Sequence, residues 1–327
     1  MNKQAHILFT STFSTSFIRE DLSFLRKHYE MTEILSPGFF TILKFLRKLP
    51  KTDTTFSWFA SVYASILVLL TKVFHKKSII VLGGVDVAKL PELQYGIWNS
   101  RFKSIIVRYG IRNADIILAV DESLKRDAIR LAQYDGTNIH VVPTGYNSTQ
   151  WNSGKKKEKY ILTVAQCVNL TRMQIKGIPF LLNVAAACPE QTFILIGLSK
   201  HIAQQLTIPT NLHYIESIPQ NELLDYYQKA PVYFQPSMRE GLPNSLCEAM
   251  LCECYPVGTN VGGIPTAIGT TGSIIEYGNI AEAVSAIHDG LKNVNNSKSR
   301  ERIATLFTKT RREEQLISHI TSLLNAK

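Results

Sequence analysis

Two carboxylates, Glu240 and Glu248, bracket the run E-G-L-P-N-S-L-C-E. An apolar stretch, P-V-Y-F-Q-P-S (Pro231 to Ser237), stands just before them, and a helix-like A-M-L-C follows. That order reads as a strand, a loop carrying Gly and Pro, and a helix start. A turn of this kind offers unbonded backbone N–H groups and the positive end of a helix to an anion. Glu240 falls on the loop and Glu248 about one turn into the helix. Both carboxylates can then accept hydroxyls on either side of a bound phosphate, and a nucleotide-sugar has that shape. On spacing alone, a helix-start acid with a second, solvated Glu is an equal reading.

Other segments stand in register with this one. P-V-G-T-N-V-G-G-I-P (Pro256 to Pro265) and T-G-S-I-I-E-Y-G-N (Thr271 to Asn279) follow it. Upstream are I-K-G-I (Ile175 to Ile178), V-V-P-T-G-Y-N (Val141 to Asn147) and G-G-V-D-V-A (Gly83 to Ala88). With these pieces in order, the chain resembles the retaining nucleotide-sugar glycosyltransferases of family four. The likeness is strong in the second half and looser in the first. It implies the GT-B fold, two α/β Rossmann-like domains with a cleft between them.

The resemblance also implies roles. Lys176 would contact the donor phosphates, where cations and N–H donors must meet charge growing on the leaving group. The family usually has an Arg a few residues earlier. Here Gln166 stands in its place, and Arg172, in what reads as a longer loop, is the candidate replacement. The N–H groups of Asn244, Ser245 and Leu246 would complete the anion site, with Gly241 letting the loop approach the ligand. Glu240 would hold sugar hydroxyls, Glu248 the ribose and Ile218 the base. Acceptor-side candidates are Asp86 and Ser14, the latter in S-T-F-S-T-S (Ser11 to Ser16). For each a plain capping role is the other reading. The family's His near the reacting sugar is absent from L-G-G-V-D-V. No cofactor is implied, and the lack of a D-x-D motif fits metal independence. The partners implied are a nucleotide-sugar donor and a glycan or lipid-linked acceptor in cell-surface polysaccharide or glycoconjugate synthesis. An inactive relative that binds a sugar nucleotide or a partner is the alternative. In a further departure, Glu253 occupies a helix-end position where the family has Gly, at an expected cost in stability.

The elements that must hold these residues alternate. Strands are expected near Ile7–Thr10, Thr32–Leu35, Thr55–Phe59, Ile79–Leu82, Ile116–Val120 and Ile139–Val142. In the second half they fall near Tyr160–Ala165, Thr192–Ile196, Leu212–Ile215, Val232–Gln235 and Tyr255–Gly258. Helix candidates include Phe17–His28, a buried Ala60–Phe74, and Glu122–Gln133 capped by Asp121. The alternation predicts two parallel sheets covered by helices, with ligands at the carboxyl ends of the strands. The boundary reads as Pro143, Gly145 and the polar N-S-G-K-K-K-E-K, dividing an acceptor-side domain at 1–150 from a donor-binding domain at 151–309. The amphipathic Arg312–Leu324 helix, by resemblance, returns to the first domain, which takes 310–327.

With 327 residues, 45% hydrophobic and 19% charged, the chain has room for two ordinary cores. Its five cysteines form no C-x-x-C pair, which favours reduced thiols over zinc and a cytoplasmic setting. No signal-peptide pattern opens the sequence. Thr54 to Thr71 lacks charge, but its serines and the strand-like run after it favour a buried helix over a membrane span. Residues 1–150 hold 19 Lys and Arg against 12 Asp and Glu, and residues 151–327 hold 17 against 14. A basic first half suits an anionic membrane surface, peripherally bound, or serves solubility alone. Nothing resembles a nucleic-acid-binding motif.

Overall fold

A computed structural model describes residues 4–35 and 38–326. The expected first domain includes residues 1–3, 36–37 and 327, which lie outside the described residues. The chain divides into two compact units, residues 1–144 with 309–327 (unit 1) and residues 145–308 (unit 2).

Unit 1 begins β1 (His6–Ser11), α1 (Ser16–Arg26), β2 (Glu30–Leu35), α2 (Thr41–Lys48) and β3 (Thr54–Trp58). It continues through α3 (Val62–Val73), β4 (Lys77–Leu82), α4 (Arg101–Asn113), β5 (Ile116–Ala119), α5 (Glu122–Ala132) and β6 (Ile139–Val141). All its strands pair in parallel, in the order β2-β1-β3-β4-β5-β6. The central strands are buried on both faces, which is why they read as near-continuous apolar runs. Asp121 caps α5: its Oδ1 accepts the Ser123 N–H at 2.8 Å. The uncharged stretch forms β3 and α3. No helix among the described residues is long and apolar enough to cross a membrane. The sequence reading did not assign α2, an amphipathic helix of only eight residues, too short for its period to be told from a short apolar run.

Unit 2 runs β7 (Ile161–Cys167), α6 (Leu170–Ile175), α7 (Ile178–Ala187), β8 (Phe193–Leu198), α8 (Lys200–Ala203), β9 (Leu212–Ile215) and α9 (Gln220–Lys229). Then come β10 (Val232–Gln235), α10 (Asn244–Leu251), β11 (Tyr255–Thr259), α11 (Ile264–Ile268), β12 (Ser273–Ile275), α12 (Ile280–Lys292) and α13 (Ser297–Leu306). Its parallel sheet has the order β12-β11-β10-β7-β8-β9, so β10 lies between β11 and β7. The strand β12, with one buried residue in three, is too short to announce itself.

The chain returns to unit 1 in α14 (Lys309–Asn325), which packs beside α1. Arg312 of α14 is 1% exposed. Its guanidinium grips Asp21 of α1 bidentately, Nη2 to Oδ2 at 2.7 Å and Nε to Oδ1 at 3.1 Å. The Trp58 indole donates to the same carboxylate at 3.0 Å, and the remaining Arg312 amine donates to the Val142 carbonyl. Each member of this buried network depends on the others, because a lone buried charge costs several kcal/mol (about 3–5) when its partner is removed.

Candidate functional site

In unit 2, the carboxyl ends of β7, β10 and β11 bring the candidate residues together. β7 carries a bulge between Val164 and Cys167, so Ala165 and Gln166 drop out of the ladder before Cys167 rejoins it opposite Leu198. Gln166 is exposed there. The segment after it is not the open loop expected for Arg172. It is the helical turn α6, started by Asn169, whose Oδ1 accepts the Arg172 N–H at 2.8 Å. Lys176 closes that turn, its N–H bonded to the Arg172 carbonyl at 2.9 Å.

Gly177 then takes φ +69°, and a Cβ there would lie 1.8 Å from the Pro236 carbonyl oxygen. Only glycine permits this approach of α6 to the end of β10. The Met238 N–H donates to the Ile175 carbonyl at 2.8 Å across the same junction. Lys176 is thereby fixed against the β10–α10 loop, where its Nζ lies 2.6 Å from Glu240 Oε1. That oxygen also accepts from Ser237 Oγ at 2.8 Å and Gln235 Nε2 at 3.1 Å. Tyr233 extends the network, its hydroxyl donating to Gln235 Oε1 at 3.1 Å. The Lys176 and Glu240 side chains are 20% and 10% exposed, so the pair is largely shielded from water while still reaching the surface.

The second glycine pair holds the loop from the β11 side. Gly262 has φ +56° with a virtual Cβ 2.1 Å from the Glu240 carbonyl oxygen, and the Gly263 N–H donates to the Gly241 carbonyl at 2.8 Å. Helix α10 starts directly after Pro243, with no side-chain cap. The N–H groups of Asn244, Ser245 and Leu246 therefore begin the helix without intrahelical acceptors. Asn244 Oδ1 accepts the Tyr146 hydroxyl at 2.8 Å. One turn on, Glu248 is half-buried, with Oε2 accepting from Tyr227 at 3.2 Å. Ile218 is half-buried in the β9–α9 loop.

The arrangement offers a cation, a carboxylate and a helix terminus side by side, with no activated nucleophile. Burial pushes the Cys167 thiol up to about 11, although Lys176 and Arg172 act to lower it. A thiol that is neutral at pH 7 is a poor nucleophile. All five cysteines are free and buried.

Unit 1 corrects one of the two acceptor-side expectations, that for Asp86. Asp86 is 3% exposed, and its carboxylate accepts N–H groups of Gly84 at 2.7 Å, Ala60 at 3.1 Å and Gly83 at 3.2 Å. It fastens the G-G-V-D loop to the end of β3, with its lone pairs used, and is not presented to a ligand. Burial pushes its pKa up against those N–H bonds. Ser14 is exposed in the β1–α1 loop, and α1 starts without a side-chain cap. A small crevice lies at the carboxyl ends of β1 and β3, lined by Thr10, Ser11, Thr12, Ser61 and Tyr63 and by the apolar Ile34, Phe45 and Trp58.

Sequence reasoning missed Tyr146, Tyr227, Tyr233, Gln235 and Ser237. One signal was present: Gln235 is a polar residue ending the otherwise apolar V-Y-F strand, and the polar Ser237 follows two residues later. A third cation, Arg239, stands next to Glu240 in the chain and is half-buried. Glu253 follows the α10 C-terminus with φ +62°, the left-handed backbone that its position had suggested.

The sequence profile of the family "Glycosyl transferases group 1" matches residues 147–306. An alpha-maltose-1-phosphate synthase of Mycolicibacterium smegmatis is 26% identical over 209 residues, 56% of this chain and 54% of that protein. The putative teichuronic acid biosynthesis glycosyltransferase TuaC of Bacillus subtilis is 25% identical over 204 residues, 58% of this chain and 49% of that protein. The chain thus spans about half the length of the curated relatives it matches. Among solved structures, Anabaena Alr3699/HepE in complex with UDP-glucose superposes with a TM-score of 0.78 at 15% identity, covering 98% of this chain and 100% of that one. At that identity the likeness establishes the fold, the two-sheet α/β architecture of GT-B glycosyltransferases.

Proposed function

We propose that the protein, whose residues 147–306 match the profile of the glycosyl transferases group 1 family, moves a sugar from a nucleotide-sugar to a hydroxyl of a glycan or lipid-linked acceptor, with retention at the anomeric carbon, in cell-surface polysaccharide or glycoconjugate synthesis. Unit 2 binds the donor and unit 1 serves the acceptor. The observation that carries this reading is the Lys176–Glu240 pair, 2.6 Å apart, set beside the uncapped start of α10. One group suits the diphosphate, the other suits sugar hydroxyls, and the helix terminus suits the anion between them.

In the reaction the acceptor oxygen bonds to the anomeric carbon while the bond from that carbon to the diphosphate oxygen breaks. The electron pair leaves with the diphosphate, and the acceptor proton passes to a phosphate oxygen on the same face. No side chain need carry the sugar or the proton. Lys176 with the N–H groups of Asn244, Ser245 and Leu246 stabilises the leaving group, Arg172 adds a second cation, Gly241 admits the ligand, and Glu240 orients the sugar. Glu248 takes the ribose and Ile218 the base. The neighbouring structure described with UDP-glucose makes a uridine donor the first to test.

Isothermal titration with nucleoside diphosphates is that test. Lys176→Ala should weaken binding about 10- to 150-fold, a charged hydrogen bond being worth roughly 1.5–3 kcal/mol. Arg172→Ala should weaken it too, and the double variant should depart from additivity. Wild-type affinity in Lys176→Ala rejects the site. Gln166 favours one second reading, a relative that binds the donor without transfer. Donor binding with no nucleotide release across a panel of acceptors would support it.

A further inference from the structure

Helices α2, α3 and α4 lie in a row on unit 1, α2 packed beside α3 and α3 beside α4. Together they carry eight Lys and Arg residues and no Asp or Glu. The chain has no carboxylate between Glu33 and Asp53, while Lys44, Arg47, Lys48 and Lys51 are all exposed there. Several cations elsewhere on unit 1 pair with acids, as in Arg26–Glu33 and Arg130–Asp127, whereas in the layer Lys72 pairs with Asp115 at 3.2 Å and the α2 cations face no acid on their own helix.

The same layer exposes apolar side chains that the fold does not use. In α2 the core takes Phe45, with Leu49 just beyond, packed with Leu8, Ile34 and Leu67. Ile42, Leu43 and Leu46 point outward, each at least 40% exposed. Just before α2, Phe39 and Phe40 stand 93% and 66% exposed, their rings edge to face at 5.2 Å. In α4 the stripe Phe102, Ile105 and Tyr109, spaced along one face, is exposed opposite the buried Val107 and Ile111. Leu69 and Val73 of α3 are exposed beside Lys72. Apolar residues interleaved with Lys and Arg, without acids, match the boundary between acyl chains and anionic headgroups. None of these helices is long enough to cross a bilayer, so the contact is in the plane of the surface.

We propose that the α2–α3–α4 layer of unit 1 docks on an anionic lipid bilayer, with Phe39 and Phe40 entering the headgroup region and Lys44, Arg47 and Lys48 meeting lipid phosphates. This inference stands apart from the donor site, because docking reads unit 1 whether or not unit 2 transfers sugar.

Vesicle flotation tests it, using phosphatidylcholine alone and phosphatidylcholine mixed with phosphatidylglycerol. The full chain should float with the mixed vesicles only, and less as salt rises. Replacing Lys44, Arg47 and Lys48 together by Gln should lower partitioning on the order of 100-fold, each cation near a charged surface being worth about fivefold. Phe39→Ser with Phe40→Ser should lower it about tenfold or more through lost apolar contact. All five positions are exposed, so both variants should keep wild-type thermal unfolding and nucleoside diphosphate affinity, which separates lost docking from lost folding and from any failure of the donor reading. Absence of flotation with mixed vesicles, equal flotation with neutral ones, or undiminished flotation of either variant overturns the proposal. A polyanion or acidic protein that binds this face while vesicles do not falls under the first of these.

Discussion

Glu240→Gln should pull apart two effects that one ion pair joins. Glu240 Oε1 receives Lys176, Ser237 and Gln235 at 2.6, 2.8 and 3.1 Å. A Gln carbonyl still accepts the two neutral donors, so the loop keeps its shape, while Lys176 loses its counter-charge and stability falls by about 1–3 kcal/mol. The substitution deletes one negative charge next to the proposed phosphate position. Unit charges roughly 7 Å apart interact by about 0.6–2.4 kcal/mol for an effective dielectric between about 80 and 20. Nucleoside diphosphate, which has no sugar to lose, should therefore bind about 3- to 60-fold tighter. Turnover of the complete donor should fall about tenfold or more, because the sugar loses its acceptor. Calorimetry with the diphosphate and steady-state nucleotide release read the two effects separately. Unchanged or weakened diphosphate affinity would refute the placement of the phosphate beside this carboxylate. Wild-type turnover would refute its grip on the sugar.

Gly177→Ala should cost about 2 kcal/mol or more in urea unfolding, since φ is +69° and the new Cβ would meet the Pro236 carbonyl at 1.8 Å. Glu253→Gly should raise stability by about 0.5–1 kcal/mol by relieving a left-handed backbone, offset in part by loss of the Ser153 hydrogen bond to Glu253 at 2.9 Å. His319 of α14 faces His140 with ring centroids 4.7 Å apart, and burial, then His140, lower its pKa below the ordinary 6.5. The unfolded chain then binds the proton first, so stability should be full above pH 6.5 and decline as pH falls toward the folded-state pKa. Urea midpoints across that range should show the slope, and His319→Gln should flatten it.

The sheets were legible because buried parallel strands leave apolar runs separated by Gly and Pro, and every strand expected from such a run has a counterpart. That Glu240 and Lys176 lie together was expected through resemblance, from the segments I-K-G-I and E-G-L-P-N-S-L-C-E, and the structure sets the two side chains 2.6 Å apart. The hydroxyls and amides behind Glu240 were not legible, because Tyr233, Gln235 and Ser237 meet it only through the pleat and the β10 loop. The turn α6 was overlooked although Asn169, its capping residue, was visible three residues before Arg172. Asp86 shows the limit of reading a lone ionisable residue in a loop. Whether a carboxylate faces a ligand or fastens its own backbone depends on N–H groups from a different strand, here that of Ala60, and local sequence does not encode their approach. Helix α2 escaped because eight residues give little more than two turns, too few for the period of its apolar side chains to be recognised.

The buried clasp between Arg312 and Asp21 has a consequence in time. Unit 1 is interrupted in the chain by residues 145–308, and Arg312 belongs to the segment after the interruption. A chain synthesised from its N-terminus completes all the strands of unit 1 long before the guanidinium exists that compensates Asp21 and bonds the Val142 carbonyl. At about 5–20 residues per second the delay is roughly 8–33 s. Unit 2 has its whole sequence first, and unit 1 waits as an open sheet with a carboxylate that it cannot yet bury. The nascent protein thus finishes its units in the reverse of the order in which they begin, with α14, made after all of unit 2, packing beside α1, made before it.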